Sequence, residues 1–419
     1  GRAGYPCFAL CFSTVHEHSQ QKGSIMQKDK KFLAFLLSLC LTASAFSGCA
    51  AGQSAPPSST AVPESVLSPS EVDSSAPATR ERTREIVDQM GNTVVLPEEV
   101  DRVVIASVWP LASVYCLFEG STEKLVGLDP AIISAAENSL LVKAFPEIVE
   151  IESAFSQNGT LNAEELLRLD PDVVLYASGV PEDYDVCQQA GIPAVGFSLS
   201  IKDFNAVDTI NSWMELLGEV MGRDLTNNDF IQYGQDMQAL VASRLEGLTD
   251  EEKPRCMFIH GYDAGSIRVP GSASWADYWI TASGGINVGA QGGKGTPEVG
   301  IEQIYQWNPE KIFITNFNRA IPDDLYQNAM ESFDWSSVLA VQKQQVEKLP
   351  LGMYRWYVTC SDSSLMLLWM AKQNHPDLFE DIDMNETVRE FYEKFYGLSL
   401  TDEEIGSIFI PKREAAGGI

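Results

Sequence analysis

The chain has 419 residues and a formal net charge of −29 at pH 7, with 58 Asp and Glu side chains against 29 Lys and Arg. Because nucleic-acid phosphates are bound by a basic face, this charge argues against nucleic acid as a partner. The four histidines leave little for acid–base triads, and no Gly-x-Ser-x-Gly elbow occurs, so we do not expect an enzyme.

The first 49 residues have the features of a bacterial export signal. Met26 is followed by three lysines, the apolar run 32–41 and a Ser-Gly pair directly before Cys49. The apolar run is shorter than the ~20 residues that a membrane span needs. We therefore predict that residues 1–25 lie upstream of the true start, that 26–48 are a lipoprotein signal peptide, and that Cys49 is acylated.

Residues 49–83 predict a tether rather than a domain. Ala, Ser, Pro and Thr dominate this stretch, and large apolar side chains are scarce. Such a segment buries too little surface to offset its ordering entropy, so we expect it to be disordered. Together with an acylated Cys49, it would hold the folded part at the outer face of a membrane.

Four cysteines remain after Cys49, at positions 116, 187, 256 and 360. They are far apart, and no Cys-x-x-Cys sequence occurs among them. This pattern favours buried free thiols over a metal site or a disulfide framework, although a single disulfide stays open.

The ~335 residues after the tether are more than one hydrophobic core usually serves, so we expect two lobes. The first lobe is predicted at 84–201. It begins with a hairpin that turns at Gly91-Asn92. Strands and helices then alternate, with strands at 102–106, 124–127, 173–176 and 193–197, and helices at 110–118, 164–169 and 184–190. This alternation predicts a parallel sheet covered on both faces.

Residues 202–253 are predicted to link the lobes. The pattern indicates two helices broken near Gly222, with 226–246 as the bridge. A helical bridge is stiff, so we do not expect a large hinge closure.

The second lobe is predicted at 254–396, before a C-terminal tail at 397–419. Its strands are predicted at 256–260, 311–315 and 345–348, and its helices at 275–282, 302–307, 359–372 and 386–396. The expected fold is α/β, with two similar lobes, each a mainly parallel sheet flanked by helices. A long helix joins them, and a ligand cleft lies between.

One helix–loop–strand phrase occurs twice, at 164–175 and 302–314. In each copy a Glu precedes a Pro by seven residues, Glu164 before Pro171 and Glu302 before Pro309. The repeat indicates one exposed carboxylate at a matching place on each lobe. Acidic residues are also favoured at any helix start, so this observation alone leaves a simpler interpretation open.

Several of these features, taken in order and spacing, resemble the helix-linked class of substrate-binding lipoproteins that serve ABC importers for iron complexes, haem and cobalamin. The resemblance covers roughly residues 84–396. The segments that carry it are the lipobox-like end at Cys49, Asp88–Pro97, Arg102–Val104, Leu125–Gly127, the two Glu–Pro phrases, Gly284–Val288 and Pro350–Trp356.

The resemblance implies the partners. In this family a Glu on each lobe docks onto an Arg pocket of a two-fold permease, which works with its ATPase; here those residues are Glu164 and Glu302. The expected ligand is an iron complex of the siderophore type, with haem or cobalamin as alternatives. A sensor or scavenger that is not coupled to transport is a further alternative. The expected location is the extracellular face of a cell membrane of the Gram-positive type.

Ligands of open parallel sheets lie beyond the carboxyl ends of the strands. Aromatic or polar residues that follow such ends, or that begin a nearby helix, are therefore the candidate ligand-binding residues. They are Trp109, Tyr176, Tyr262, Trp275, Asn316, Tyr354, Arg355 and Trp356. Arg355, flanked by Tyr and Trp, is expected to neutralise an anion, and the aromatic rings suit a bulky or planar one. Core packing is the alternative for each aromatic residue.

A bare metal ion is not expected as the ligand, and no cofactor is expected. Only His260 and His375 follow the predicted signal, so a site with several histidines is impossible. His260 is more simply a packed residue at a strand end. The run Gly292–Thr296 departs from the phosphate-loop spacing because Gly follows the Lys.

Overall fold

The computed structural model describes residues 82–263, 265–329 and 332–416. The predicted signal peptide, Cys49 and nearly all of the predicted tether lie outside these residues. Within the described ranges, no helix has the length and apolar character needed to cross a bilayer.

The described chain begins with an antiparallel hairpin of β1 (Thr83–Val87) and β2 (Thr93–Pro97). Its turn contains Gly91 at a φ of 83°, a left-handed conformation that favours glycine. The Asp88 carboxylate accepts hydrogen bonds from the backbone N–H groups of Asn92 and Gly196. The second of these bonds ties the hairpin to the first large sheet.

That first sheet is parallel and four-stranded. The strands that follow the hairpin are β3 (Val103–Ile105), β4 (Leu125–Leu128), β5 (Ser156–Gln157), β6 (Thr160–Leu161), β7 (Val173–Ala177) and β8 (Ala194–Phe197). The sheet order is β4-β3-β7-β8, and β5 and β6 form a separate short hairpin. The helices are α1 (Leu111–Glu119), α2 (Pro130–Glu137), α3 (Leu141–Ala144), α4 (Ala163–Arg168) and α5 (Pro181–Ala190). Continuous apolar strands such as β7 suit a sheet that is buried on both faces.

The linking segment contains α6 (Ile201–Phe204), α7 (Ala206–Met221) and α8 (Asp229–Arg244). Helix α7 ends at Gly222, which is left-handed with a φ of 68°, so the predicted break is confirmed. The Asn228 side chain accepts hydrogen bonds from two N–H groups in the first turn of α8 and fixes its start.

The second parallel sheet has the order β12-β9-β14-β15. The strands of this half are β9 (Arg255–Ile259), β10 (Gly261–Asp263), β11 (Ser266–Arg268), β12 (Ile286–Asn287), β13 (Glu298–Val299), β14 (Lys311–Ile314) and β15 (Val346–Lys348). Strands β10, β11 and β13 form a small antiparallel sheet that the sequence pattern did not predict. The helices are α9 (Trp275–Ala282), α10 (Ile301–Trp307), α11 (Pro322–Tyr326) and α12 (Leu339–Gln342).

Three helices close the chain: α13 (Ser363–Asn374), α14 (Met384–Tyr396) and α15 (Asp402–Phe409). Helix α13 begins four residues later than predicted, because the chain before it is an irregular loop. Helix α15 lies in the segment predicted only as a tail. Thr401 and Glu404 form a capping box at its start, a signal that was readable in the sequence. Short 3₁₀ turns occupy 146–150, 250–252, 288–292, 376–379 and 413–416.

The two parallel sheets confirm the predicted α/β architecture with two lobes. One buried apolar cluster contains Leu111 of the first lobe, Trp213 of α7, and Phe258 and Leu365 of the second half. The four cysteines in the described residues are free and buried, as the sequence predicted.

Candidate ligand-binding site

The loop that joins β15 to α13 is buried along its whole length, residues 349–362. Loops normally run over the surface, because a buried backbone must find partners for its polar groups. Here the Gly352 carbonyl accepts a hydrogen bond from Leu140 N of the first lobe at 2.9 Å. Leu351 N donates to the Ile408 carbonyl of α15, also at 2.9 Å. The loop therefore lies where the first lobe meets the second.

Arg355 lies in this loop and is only 2% exposed. Its guanidinium carbon is 5.1 Å from the centroid of the Phe317 ring and 5.8 Å from that of Tyr354. Burial raises the pKa of the Tyr354 phenol, and the neighbouring Arg355 charge acts in the opposite direction. Because a guanidinium stays protonated, this position places a permanent positive charge in an apolar surrounding.

An aromatic cluster extends from Phe317 beside Arg355. The Phe317 ring lies 5.2 Å from His260 and 6.1 Å from Tyr357, measured between centroids. Tyr357 is in turn 6.1 Å from Trp275. These residues lie near the carboxyl ends of β9 and β14, in the buried loop and in α9, so four chain segments meet here.

The segment after β14 contains Phe317, and hydrogen bonds to its backbone carbonyls fix its position. Lys348 Nζ donates to the carbonyls of Thr315, Asn318 and Ala320, each at 2.8 Å. Burial lowers the pKa of this ammonium to about 7. Asn316 Nδ2 donates to the Leu349 carbonyl at 2.8 Å and so ties this segment to the buried loop.

His260 is neutral at physiological pH. Burial is the main reason that its pKa falls to about 4, and the Arg268 charge contributes. Its Nδ1 is buried and has no hydrogen-bond partner among the described residues. A neutral imidazole ring in this cluster packs on its neighbours without adding charge.

The structure brings four of the eight predicted ligand residues into this region: Trp275, Asn316, Tyr354 and Arg355. Phe317 and Tyr357 join them, although neither is among the eight predicted ligand-binding residues. Tyr357 directly follows the Tyr-Arg-Trp run, and that continuation of the aromatic stretch was the available signal.

Three of the other four predicted residues, Tyr176, Tyr262 and Trp356, make other contacts, and the fourth is Trp109. Tyr176 packs on Tyr184 in the first lobe, with ring centroids 5.8 Å apart. The Tyr262 hydroxyl accepts a hydrogen bond from Trp335 Nε1 at 2.9 Å. Trp356 faces Asp362, as described below, and Trp109 follows β3 as a partly exposed residue.

The corresponding edge of the first sheet carries buried carboxyl groups. Asp183, at the start of α5, has a pKa raised to about 6, chiefly by burial. One of its oxygens has no hydrogen-bond partner among the described residues. Asp129 follows β4, and burial raises its pKa too, against hydrogen bonds from Ser156 and Ala131.

Glu164 and Glu302 occupy matching exposed positions in the first turns of α4 and α10. The side chain of Asn162 caps α4, and neighbouring Glu165 pairs with Arg168 at 2.9 Å. In the part of the chain that the structure describes, neither Glu164 nor Glu302 forms an ion pair. Both carboxylates are therefore available to a partner.

The described residues contain no group of three or more His, Cys, Asp or Glu side chains placed to share a metal ion.

Two parallel-sheet lobes, connected by helices and enclosing a buried loop, define a helix-linked substrate-binding protein. The chain belongs to the periplasmic binding protein family, whose model matches residues 115–351. A curated relative is the molybdate-binding protein MolA of Haemophilus influenzae, 25% identical over 338 residues, which are 75% of this chain and 92% of MolA.

Solved structures have the same fold. A periplasmic solute binding protein of Veillonella parvula is 29% identical with a TM-score of 0.71, covering 78% of this chain and 97% of that one. Helicobacter pylori CeuE in a nickel–histidine complex is 20% identical with a TM-score of 0.61, covering 78% of this chain and 99% of CeuE. The Veillonella parvula protein and MolA are named as binding proteins, in keeping with a solute-binding role for this chain.

Proposed function

We propose that this chain captures an anionic ligand at Arg355 and delivers it to the permease of an ABC importer. The observation that carries the proposal is the buried guanidinium in a loop between the lobes. Arg355 is 2% exposed, so its charge has lost most of its contact with water, and an anion that binds there would offset much of that desolvation cost. Desolvation also strengthens the contact between the charges.

A small oxyanion of the molybdate type is the first candidate ligand. MolA, which is named for binding molybdate, aligns over nearly all of its own length. Arg355 and its neighbour Tyr354 are almost fully buried, which suits an anion that needs little space.

An iron complex of the siderophore type is the second candidate. The specific observation in its favour is the aromatic cluster of Phe317, Tyr357 and Trp275 beside Arg355. Such rings stack on planar ligands, and a guanidinium binds their anionic groups. Haem and cobalamin would use the same surfaces.

Delivery would depend on Glu164 and Glu302. Two exposed carboxylates at matching places on two lobes can each meet an Arg in one of two identical permease subunits, and Arg binds a carboxylate through two parallel hydrogen bonds. An acylated Cys49 and the segment after it would keep the protein at the outer face of the membrane, beside that permease.

Titration of the purified protein with a ligand panel tests the proposal. The panel is molybdate, tungstate, sulfate, a ferric catecholate siderophore, haemin, cobalamin and free divalent metal ions, followed by tryptophan fluorescence and calorimetry. We expect saturable binding of molybdate or tungstate; saturation by the siderophore alone would favour the second candidate. Binding of a free metal cation and of no anion would contradict the proposal. Binding without uptake by cells would indicate a sensor or scavenger.

A further inference from the structure

One carboxylate oxygen, from Asp362, accepts several hydrogen bonds from the buried loop. Asp362 is fully buried, and its Oδ2 accepts three hydrogen bonds. The donors are Met353 N at 2.8 Å, Tyr354 N at 3.3 Å and Trp356 Nε1 at 3.0 Å. The loop therefore wraps around this oxygen.

The wrapping leaves no room for a side chain at Gly352. A Cβ placed there would lie 1.9 Å from Tyr392 Oη, 2.6 Å from Asp362 Oδ2 and 2.8 Å from Trp356 Nε1. Only glycine lets the backbone approach the carboxylate this closely. The position of the Asp362 carboxylate therefore requires glycine at residue 352 of the Pro-Leu-Gly-Met sequence.

Arg355 lies between the anchored residues. Tyr354 is held by its backbone N–H and Trp356 by its indole N–H, and both bonds end on the same oxygen. Arg355 also pairs with Leu351 through an antiparallel bridge, and Gly352 N donates to the Tyr354 carbonyl at 3.2 Å. The backbone of Arg355 is fixed on both sides, which leaves its guanidinium over Phe317.

We propose that Asp362 is a positioning residue for the ligand: it fixes the loop so that the Arg355 guanidinium is already in place before the anion arrives. This inference rests on the proposed function, in which Arg355 contacts the ligand. A group that is ordered in advance loses less conformational freedom on binding, and that saving appears as affinity. An apolar residue in place of Asp362 could fill the space, but it would leave the N–H groups of Met353 and Tyr354 without their acceptor.

Asp362 is the buried carboxyl group of this loop that titrates near neutral pH; the nearby Lys348 ammonium, with a pKa of about 7, also titrates there. Burial raises the pKa of Asp362 to about 6, against the hydrogen bonds it accepts. The groups that face it are Tyr392 and Tyr396 of α14 and Cys360 of the loop. Burial raises the pKa of each of these far above its ordinary value, so they stay neutral between pH 5 and 8.

The test uses Asp362→Asn, which keeps the size of the side chain and removes its charge. The probe is micromolar molybdate, or a ferric catecholate siderophore if the panel identifies that ligand, titrated from pH 5 to 8. A charge-assisted hydrogen bond exceeds a neutral one by enough to change affinity about tenfold, so we expect that loss at pH 7.5. The wild type should lose affinity as pH falls below about 6, and Asp362→Asn should lack this step. Titration of Lys348, with a pKa of about 7, is common to both proteins and has the opposite sign, since its charge is lost as pH rises. Trp356→Phe removes one donor and should give a smaller loss.

Asp183→Asn is the matched control, because Asp183 titrates in the same range but lies in the first lobe, and it should keep the step near pH 6. A step that persists in Asp362→Asn and disappears in Asp183→Asn would overturn the proposal. The proposal would also be overturned if Asp362→Asn kept full affinity but had a lower melting temperature, because Asp362 would then contribute to stability and not to binding.

Amide hydrogen exchange provides a readout that needs no ligand. In Asp362→Asn, we expect faster exchange confined to residues 352–357, and unchanged rates there would overturn the proposal even if no ligand were found. Failure of the proposed function has a different signature: Arg355→Ala would keep full affinity while Asp362→Asn still loosened the loop.

Discussion

The two lobes are alike at the starts of helices α4 and α10 and unlike where their strands end. Helices α4 and α10 each present an exposed Glu in the first turn, at positions related by the repeated phrase. At the strand ends, the second lobe places Lys348 and Arg355, whereas the first lobe places Asp129 and Asp183. The outer surfaces thus match a symmetric partner, and the inner edges differ in charge.

This difference assigns separate tasks to the lobes. Under the proposed function an anion would be held by the second lobe, which the first lobe already contacts through the hydrogen bond from Leu140 N to the Gly352 carbonyl. Burial raises the pKa of both first-lobe acids. Docking, by contrast, should need both lobes equally.

The largest effect is expected from removing both docking carboxylates. Glu164→Ala combined with Glu302→Ala should abolish uptake of the bound ligand and leave its affinity unchanged, because both carboxylates are exposed whereas Arg355 is buried. Each single variant should reduce uptake to a similar degree. Uptake by cells and ligand titration of the purified variants are the two measurements.

A double variant of exposed acids elsewhere, Glu123→Ala with Glu393→Ala, is the control for the change in net charge. It should transport normally. If the Glu164 and Glu302 double variant also transports normally, these residues only stabilise the starts of their helices.

Arg355→Ala should weaken ligand binding at least ~10-fold through loss of a charge-assisted contact. Arg223 provides a matched control, since its guanidinium also lies over a ring, Phe118, at 4.9 Å, but outside the site. Arg223→Ala should bind normally. If calorimetry gives wild type and Arg355→Ala the same affinity, the proposal that the second lobe binds the anion through Arg355 is wrong.

Lys348→Met tests whether the positive lobe depends on its internal hydrogen bonds. The change removes the Lys348 donor from the carbonyls of Asn318 and Ala320. The Thr315 carbonyl keeps a donor in Asn318 Nδ2 at 3.3 Å. Each carbonyl left without a donor can cost about 1–3 kcal/mol before the loop relaxes, so we expect a loss of that order in unfolding free energy. Lys311, which donates to the Gln345 side chain at 2.8 Å on the exposed side, is the comparison. Lys311→Met should change stability by less than ~0.5 kcal/mol in urea unfolding.

The strand positions were readable because apolar runs such as 173–177 are bounded by Pro, Asp and Gly and need no distant partner to be recognised. Side-chain directions were not. Tyr176 and Tyr262 both lie near strand ends, but they pack against Tyr184 and Trp335 inside their lobes. The contact between Tyr262 and Trp335 joins residues far apart in sequence.

The buried loop shows the same limit. Tyr354, Arg355 and Trp356 are consecutive in the sequence, but their side chains point to different neighbours. The Trp356 indole binds Asp362, whereas the Arg355 guanidinium lies over Phe317. In a strand, alternation would have predicted this division; in an irregular loop it depends on a carboxylate six residues away. The burial of Arg355 was foreseeable from its neighbours, and its direction was not.

The smallest effect concerns the acidic edge of the first lobe. The folded pKa of Asp183 is about 6, above its ordinary value of 3.8, so between these values the folded state holds the proton that the unfolded state has released. The stability contributed by Asp183 should therefore fall as pH rises from 4 to 6, by roughly 1–3 kcal/mol. Asp183→Asn cannot titrate, so its unfolding free energy relative to the wild type should increase across that range in urea unfolding. A constant difference between the two proteins would show that the pKa of Asp183 is the same in the folded and the unfolded state, which would contradict the raised value.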